Sequence, residues 1–318
     1  MDKYYTEWRL KPNPTKTEVA AFHLNNKEAN RSLVVHFKGV LVSHNRSPKY
    51  LGVTLDRSLT FKDHVEKLRM KINSRNNIIQ KLVGSGWGAS TETLRTSAIS
   101  LVYSSAEYSC AAWQNSSHVH KIDSQLNHTM GIISGTVKPT PAVWLPTLCC
   151  IAPPDFRRFR ATSNLISRTL NNESSLLYEE LLIPPPHRLR SRYFIWNDLT
   201  EMSKFNINDK WRERWDLGSV SNYHLIEDPT IRVGGFDLPR LAWTRLNRLR
   251  TGHGKCKSCL FKWGLADSPA CDCCAYDQTM CHIINNCPLR RFVGSTEELS
   301  AANSNRAVDY LMCLDLNV

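Results

Sequence analysis

The sequence predicts a mixed α+β chain that is mostly helical. It reads as a small antiparallel sheet, a helical bundle, a helical connector and a small C-terminal metal-binding unit. Three observations lead there. Short, partly β-branched runs between turn formers fill the first sixty positions. Apolar residues then recur at helical spacing from Phe61 through Ile133. Finally, seven of the eleven cysteines fall between Cys256 and Cys287.

In chain order, Glu18 to Leu24, Leu33 to Phe37, Gly39 to Val42 and Tyr50 to Leu55 read as strands. Pro12-Asn-Pro14, Asn25-Asn26, Lys38-Gly39 and Asn45-Arg-Ser-Pro48 are the turns between them. A sheet of this size is small for an independent core, and an unpaired edge is a liability, so it reads as built to continue into a further segment. Phe61, Val65, Leu68, Ile72, Ile79 and Leu82 predict a helix through Val83, ended by Gly84-Ser-Gly86. Ser90 or Thr91 caps a second helix carrying Leu94, Ala98, Leu101 and Val102, and Val119, Ile122, Leu126, Met130 and Ile133 mark a third. Short connections make these three an antiparallel bundle. Gly131 falls inside the third, where glycine costs roughly 1 kcal/mol relative to alanine.

Pro139, Pro141, Pro146 and Pro153-Pro154 punctuate a connector. A helix is expected from about Asp155 to Leu170, a stiff break at Pro184-Pro-Pro186, and another helix near Arg190 to Met202. Residues 216–237 read as loop, Pro239 to Arg250 as a basic helix, and Ala302 to Leu316 as one closing helix. The expected domains are 1–60, 61–138, 139–237 and 238–318.

At 318 residues and 42% hydrophobic content the chain has room for two or three ordinary globular domains. The sequence has no run of eighteen apolar residues, which excludes a transmembrane helix and a membrane partner of that kind. Met1 to Trp8 lacks an apolar signal region, so an intracellular setting, cytoplasmic or nuclear, is expected. The net charge of +12 favours a polyanionic partner, with nucleic acid foremost. The charge is concentrated. Leu238 to Ala266 contains no Asp or Glu but holds Arg240, Arg245, Arg248, Arg250, Lys255, Lys257 and Lys262, interleaved with Trp243, Phe261 and Trp263. Such a stretch neutralises phosphates and offers stacking faces, although each aromatic taken singly is as well explained as core.

That basic stretch runs into Cys271-x-Cys273-x8-His282-x4-Cys287. Three thiols and one imidazole within seventeen residues form the ligand set of a closed four-coordinate zinc site, and these donors suit zinc better than calcium or magnesium. A Cys-x-Cys pair fits one side of a tight turn, while His282 and Cys287 fall on or near one face of a short helix that Pro288 ends. One Zn2+ per chain is expected, and it contributes folding energy to a unit this small. Cys256-x-x-Cys259, Cys274 and Cys281 compete for the same metal, and free cysteines also serve as small buried hydrophobes. No nucleophile motif stands out. His23, His36, His64, His118 and His120 read as surface or packing residues, and no catalytic residue is assigned.

Three stretches carry a family resemblance. They are Trp8-Arg-Leu-Lys-Pro-Asn13-Pro-Thr-Lys16-Thr17-Glu18; then Lys49-Tyr-Leu-Gly52-Val-Thr-Leu-Asp56 with Leu59-Thr-Phe61; then Leu246-Asn-Arg-Leu-Arg-Thr251-Gly-His253-Gly, Lys262-Trp-Gly264 and the Cys/His cluster with Gln278-Thr279. Together they resemble the C-terminal part of jockey-like, LINE-type (non-LTR) retrotransposon reverse transcriptases. The resemblance implies the end of a polymerase palm with a primer-grip hairpin, then a thumb-like bundle, then a zinc-knuckle region. It implies that Lys49, Tyr50 and Gly52 lie against a primer strand, with contacts that position without reading sequence. Arg240, Arg245, Arg248, Arg250, Lys255 and Lys257 would hold RNA or an RNA–DNA heteroduplex. The family's two-metal chemistry uses palm carboxylates and, in a complete polymerase, Mg2+. The paired-aspartate motif expected before Trp8 is absent, and no Asp-Asp occurs in the 318 residues. The chain therefore reads as a nucleic-acid-binding polymerase fragment or truncated copy, inactive alone. The alternative is a domesticated protein-interaction module that binds a protein partner through its zinc unit. Two residues depart from the family's pattern: Cys274 stands where the family tends to have Gly, and Gly131 where a helix former is expected.

Overall fold

The structure is a computed structural model that describes residues 2–315 apart from 24, 85–86, 184–201 and 203. The expected Pro184-Pro-Pro186 break and nearly all of the expected helix near Arg190 to Met202 lie outside the described residues. The chain is mostly helical with small sheets. It divides into two compact units, one of residues 1–70 and 112–122, the other of 71–111 and 123–318. None of the described helices is long and apolar enough to cross a membrane.

The first unit opens with α1 (Asp2–Glu7) and a 3-10 turn (Pro14–Lys16) capped by Asn13, whose Oδ1 accepts the Thr15 N–H at 3.0 Å. Six two-residue strands follow: β1 (Glu18–Val19), β2 (His36–Phe37), β3 (Val40–Leu41), β4 (Ser43–His44), β5 (Lys49–Tyr50) and β6 (Val53–Thr54), with α2 (Asn26–Ala29) between the first two. They do not form the single antiparallel sheet expected. Three separate ladders form instead: β2–β3 and β5–β6 are antiparallel hairpins, and β1–β4 is parallel. The hairpins close where Lys38-Gly39 and Leu51-Gly52 both hold positive φ, the condition of a tight two-residue turn whose twist matches the strands. The strands stay short because Val34, Leu41 and Leu51 remain exposed, so no buried face fixes a longer register. Val53 and Thr54 are buried, as are Val65 and Leu68 of α3 (Lys62–Lys81).

In the second unit, Ile72 and Ile79 of α3 are buried with Leu94 and Ala98 of α4 (Thr91–Ala98) and Leu126, Met130 and Ile133 of α7 (His120–Ser134). Ser90 caps α4 by accepting the Thr93 N–H at 3.2 Å. One π turn (Ile99–Tyr103) continues α4 into α5 (Ser104–Ala106), and α6 (Cys110–Trp113) follows. Buried Asn76 ties α3 to α7: its amide donates to the Gln125 carbonyl at 3.2 Å and its Oδ1 accepts the Thr129 hydroxyl at 2.7 Å. Next come α8 (Trp144–Cys149), α9 (Pro154–Leu170), α10 (Tyr178–Leu182) and α11 (Ile207–Leu217). Helices α8 and α11 were not read from the sequence. Their tryptophans, Trp144 and Trp215, meet edge to face at 5.0 Å in a cluster with Leu148, Val233, Phe236 and Trp243.

The C-terminal part holds α12 (Arg240–Thr251) and α13 (Lys257–Lys262). An unexpected short helix, α14 (Thr296–Ala301), precedes α15 (Asn305–Cys313), which is the closing helix expected over Ala302 to Leu316, begun three residues later. Ala302 adopts left-handed backbone (φ +49°) and ends the first, and Ser304 starts the second by accepting the Ala307 N–H at 3.2 Å. Leu246, Leu249, Met280, Ile283, Ile284, Phe292, Leu299 and Leu311 form the core beneath them.

Candidate metal centre and the basic helix

Cys271, Cys273, His282 and Cys287 converge. One donor atom from each lies within 4.8 Å of all the others. The Cys271 and Cys287 sulfurs are 3.8 Å apart, and Cys273 Sγ is 3.2 Å from His282 Nε2. A tetrahedral ion with metal–sulfur bonds near 2.3 Å needs sulfurs roughly 3.8 Å apart, whereas a disulfide needs about 2.05 Å. All eleven cysteines are free thiols. The donor set and spacing are those of a site able to hold a metal ion and are compatible with zinc.

The local backbone brings the four together. Cys271 to Cys274 close a tight turn in which the Cys274 N–H donates to the Cys271 carbonyl at 3.0 Å. His282 to Asn286 form one π turn, with the Cys287 N–H donating to the His282 carbonyl at 2.8 Å. Five residues span a little over one turn there, which keeps His282 and Cys287 on one side; an α-turn would rotate them apart. Cys274 sits at φ +69°, a left-handed conformation that glycine adopts without strain.

Burial acts to raise the Cys271 thiol. The backbone N–H of Cys273, the Gln278 amide and the Cys273 and His282 side chains outweigh it and hold the thiol down at about 6. Gln278, part of the motif that ends in Thr279, is the supporting residue. It is buried, its amide donates to Cys271 Sγ at 3.4 Å, and its Oε1 accepts the Lys257 N–H at 3.0 Å. It therefore joins the first turn of α13 to a ligand, as outer-shell partners do in metal sites. Of the competing thiols, Cys256 is buried in the core and pushed up to about 11 by that burial, Cys259 packs beside it, and Cys274 and Cys281 are exposed outside the group. Asp272, between two of the ligands, pairs with Lys257 and, at 2.7 Å, with Arg290.

The arginines of α12 are not on the surface in the way their sequence suggested. Arg240, Arg248 and Arg250 are buried, the last at 1% exposure. The Arg240 guanidinium donates to the Ile132 and Ile133 carbonyls at 2.6 Å each, Trp243 Nε1 to Ile133 at 3.2 Å, Asn247 to Ser134 at 2.9 Å and Arg248 to Gly135 at 3.0 Å. Ile132, Ile133 and Ser134 supply the last carbonyls of α7, unpaired within a helix and carrying its negative pole, and Gly135 directly follows them. Arg245 meets the Leu311 and Met312 carbonyls at the end of α15, at 2.8 and 3.0 Å. Arg250 meets the Ser300 carbonyl at the end of α14, and Gly234 at 2.7 Å. One basic helix thus clamps three helix C-termini, and backbone carbonyls supply the negative partners that the acid-free stretch lacks. Burial pushes Arg240 and Arg248 down to about 10 and Arg250 to about 9.

What remains exposed is different. Lys255 and Lys262 face solvent, as do Phe261 and Trp263. So does Tyr276, at 90% exposure, which the sequence reading did not single out. In the first unit, Lys49 and Tyr50 lie exposed on β5 and Gly52 is in the turn that joins it to β6.

No family model matches the chain, and no solved structure does. The Pol polyprotein of the type-1 retrotransposable element R1 4 from Nasonia vitripennis is 24% identical over 281 residues, covering 84% of this chain and 68% of that protein. The R1 Pol polyprotein of Bradysia coprophila and the putative 115 kDa protein of element R1DM from Drosophila melanogaster are each 22% identical, over 82% and 81% of this chain. The chain spans only 26% and 25% of those two proteins. The chain is therefore a low-identity homologue, over about four fifths of its length, of the Pol polyproteins of R1 non-LTR retrotransposable elements, which bears out the LINE-type retrotransposon kinship read from its motifs.

Proposed function

We propose that this chain is the primer-grip, thumb and zinc-knuckle portion of an R1-type RNA-directed DNA polymerase, holding RNA or an RNA–DNA heteroduplex without polymerising by itself. The observation that carries the reading is the Cys271/Cys273/His282/Cys287 tetrad in the same C-terminal stretch as exposed Lys255, Lys262, Phe261, Trp263 and Tyr276, in a homologue of Pol polyproteins. In this reading one Zn2+ sits in the tetrad and contributes the folding energy of the C-terminal unit. The lysines neutralise phosphates and the aromatics stack on bases. The β5–β6 hairpin is the primer grip and the helices of residues 61–138 the thumb. With no Asp-Asp in the chain, metal-dependent nucleotide addition needs carboxylates from elsewhere.

The test is anisotropy with a fluorescent single-stranded RNA and an RNA–DNA hybrid between 50 and 200 mM KCl. Affinity falls steeply with salt, and Lys255→Ala with Lys262→Ala reduces the salt slope on single strands by about 1.4. A flat salt dependence, or an unchanged slope in the double variant, refutes the reading. Template-directed incorporation by the purified chain refutes the inactivity. A protein partner at the zinc unit is the second reading, favoured by the exposed Leu265, Leu289 and Val293. It requires one protein captured by the wild-type chain after nuclease treatment and lost with Leu289→Ser and Val293→Ser.

A further inference from the structure

The first unit carries a cleft of about 470 Å3 that the metal centre and the hairpin do not explain. Its lining includes Arg46, Arg57, Lys62, Ser47, Asp56 and Asp63. Three cations against two carboxylates leave it net positive. The carboxylates are not equivalent. Asp63 Oδ2 accepts the Ser47 hydroxyl at 2.8 Å. Asp56 is 9% exposed, and its Oδ1 takes three donors, the Ser58 N–H at 3.2 Å, the Thr60 N–H at 3.0 Å and the Thr60 hydroxyl at 3.1 Å. Its Oδ2 is buried with no hydrogen-bond partner among the described residues. Arg57 is held by Asn30, whereas Arg46 and Lys62 are exposed and form none of the ion pairs found among the described residues.

A buried carboxylate oxygen without a donor is costly, and a ligand that brings one relieves it. A bare cation does not fit, because three basic side chains face the same space. A bare phosphate does not fit either, because it meets Asp56 with like charge. The ligand class that matches carries an anion and, beside it, a hydroxyl donor. The lining includes no aromatic ring, so recognition rests on the sugar and phosphate and not on the base. A ribonucleotide has both groups side by side, and its 2′-hydroxyl is what DNA lacks. We propose that this cleft seats one ribonucleotide unit of a single RNA strand, with phosphate against Arg46 and Lys62 and the 2′-hydroxyl donating to Asp56 Oδ2, and that it makes the chain prefer RNA to DNA. The inference rests on the nucleic-acid reading above and adds a discrimination that reading does not contain.

The experiment compares the full chain's affinity for one short sequence made as RNA, as DNA and as 2′-O-methyl RNA, which keeps the oxygen but not its proton. RNA binds about tenfold tighter than either analogue, the loss expected for one hydrogen bond to a charged acceptor. Asp56→Asn brings the three affinities together, with folding checked by circular dichroism. Arg46→Ala with Lys62→Ala weakens all three strands and reduces the salt slope by about 1.4 while leaving the zinc content unchanged. Equal wild-type affinities for RNA and DNA overturn this inference and leave the broader reading standing. So does a ratio that survives in a folded Asp56→Asn protein. Binding to no strand overturns both. If Asp56→Asn does not fold, the 2′-O-methyl comparison on the wild-type chain decides: equal affinity for RNA and its methylated form refutes donation to Asp56. Adenosine monophosphate serves as competitor; displacement of the strand at micromolar concentration overturns the strand assignment in favour of a free nucleotide.

Discussion

Replacing Arg240 by Met separates the two roles open to the basic helix. Methionine keeps much of the volume and removes the fork. The guanidinium makes two 2.6 Å bonds to the Ile132 and Ile133 carbonyls at the negative pole of α7. Bonds from a charged donor are worth roughly 1.5–3 kcal/mol each. Against them stands the cost of holding a charge in a site 8% exposed, the same cost that pushes its pKa down to about 10. Trp243 still serves Ile133 after the substitution, which leaves the Ile132 carbonyl as the main orphan. The net loss is therefore about 2–3 kcal/mol, equivalent to a fall in Tm of roughly 3–5 °C for a chain of this length. Arg240→Lys recovers little of it, because an ammonium is a point charge that does not bridge two carbonyls in a fixed fork. Thermal melts by circular dichroism, with RNA anisotropy on the same samples, read both roles. A Tm within 1–2 °C of wild type together with weakened RNA binding refutes the clamp and returns Arg240 to the surface.

Three further outcomes follow. Cys271→Ser and His282→Ala each lose the single metal ion measured by elemental analysis, and strong chelators lower the melting temperature of the wild type but not of the variants. Retention of full metal by both variants moves the site to other thiols. Cys274→Gly and Gly131→Ala are each stabilising by up to about 1 kcal/mol: the first relieves a left-handed residue, and the second adds a methyl that meets no atom within 4 Å outside its own helix. Denaturant midpoints check both, and a loss at either contradicts the backbone argument. Asp228 is bonded by Arg212 at 2.9 Å and held down to about 2, so its contribution is present above its ordinary pKa near 4 and lost as pH falls toward 2. The pair is partly solvated and the effect modest. The Tm difference between wild type and Asp228→Asn shrinks to a small remainder between pH 4 and pH 2, and a difference unchanged at pH 2 contradicts the assignment.

What the sequence determined alone is what depends on near neighbours. Helical spacing in α3, α4, α7, α9 and α12, the Ser90 cap, and the turn at Lys38-Gly39 are set within a few residues, and so they were legible, whereas the turn at Leu51-Gly52 falls inside a run that reads as one strand. The Cys271-x-Cys273, His282 and Cys287 spacing was legible for the same reason, because the four lie within seventeen residues. Tertiary structure decided the rest. Strand runs shrank to two-residue ladders because alternation specifies a strand only where a buried face receives it. The closing helix begins at Asn305 and not at Ala302, because Ala302 is left-handed backbone that ends the unexpected α14, which no neighbouring Gly or Pro announced. Above all, composition counts a charge but not its partner. Arg240, Arg245, Arg248 and Arg250 appeared as a free basic stripe because their partners are backbone carbonyls at the ends of α7, α14 and α15, up to 113 residues away, and carbonyls carry no letter in a sequence.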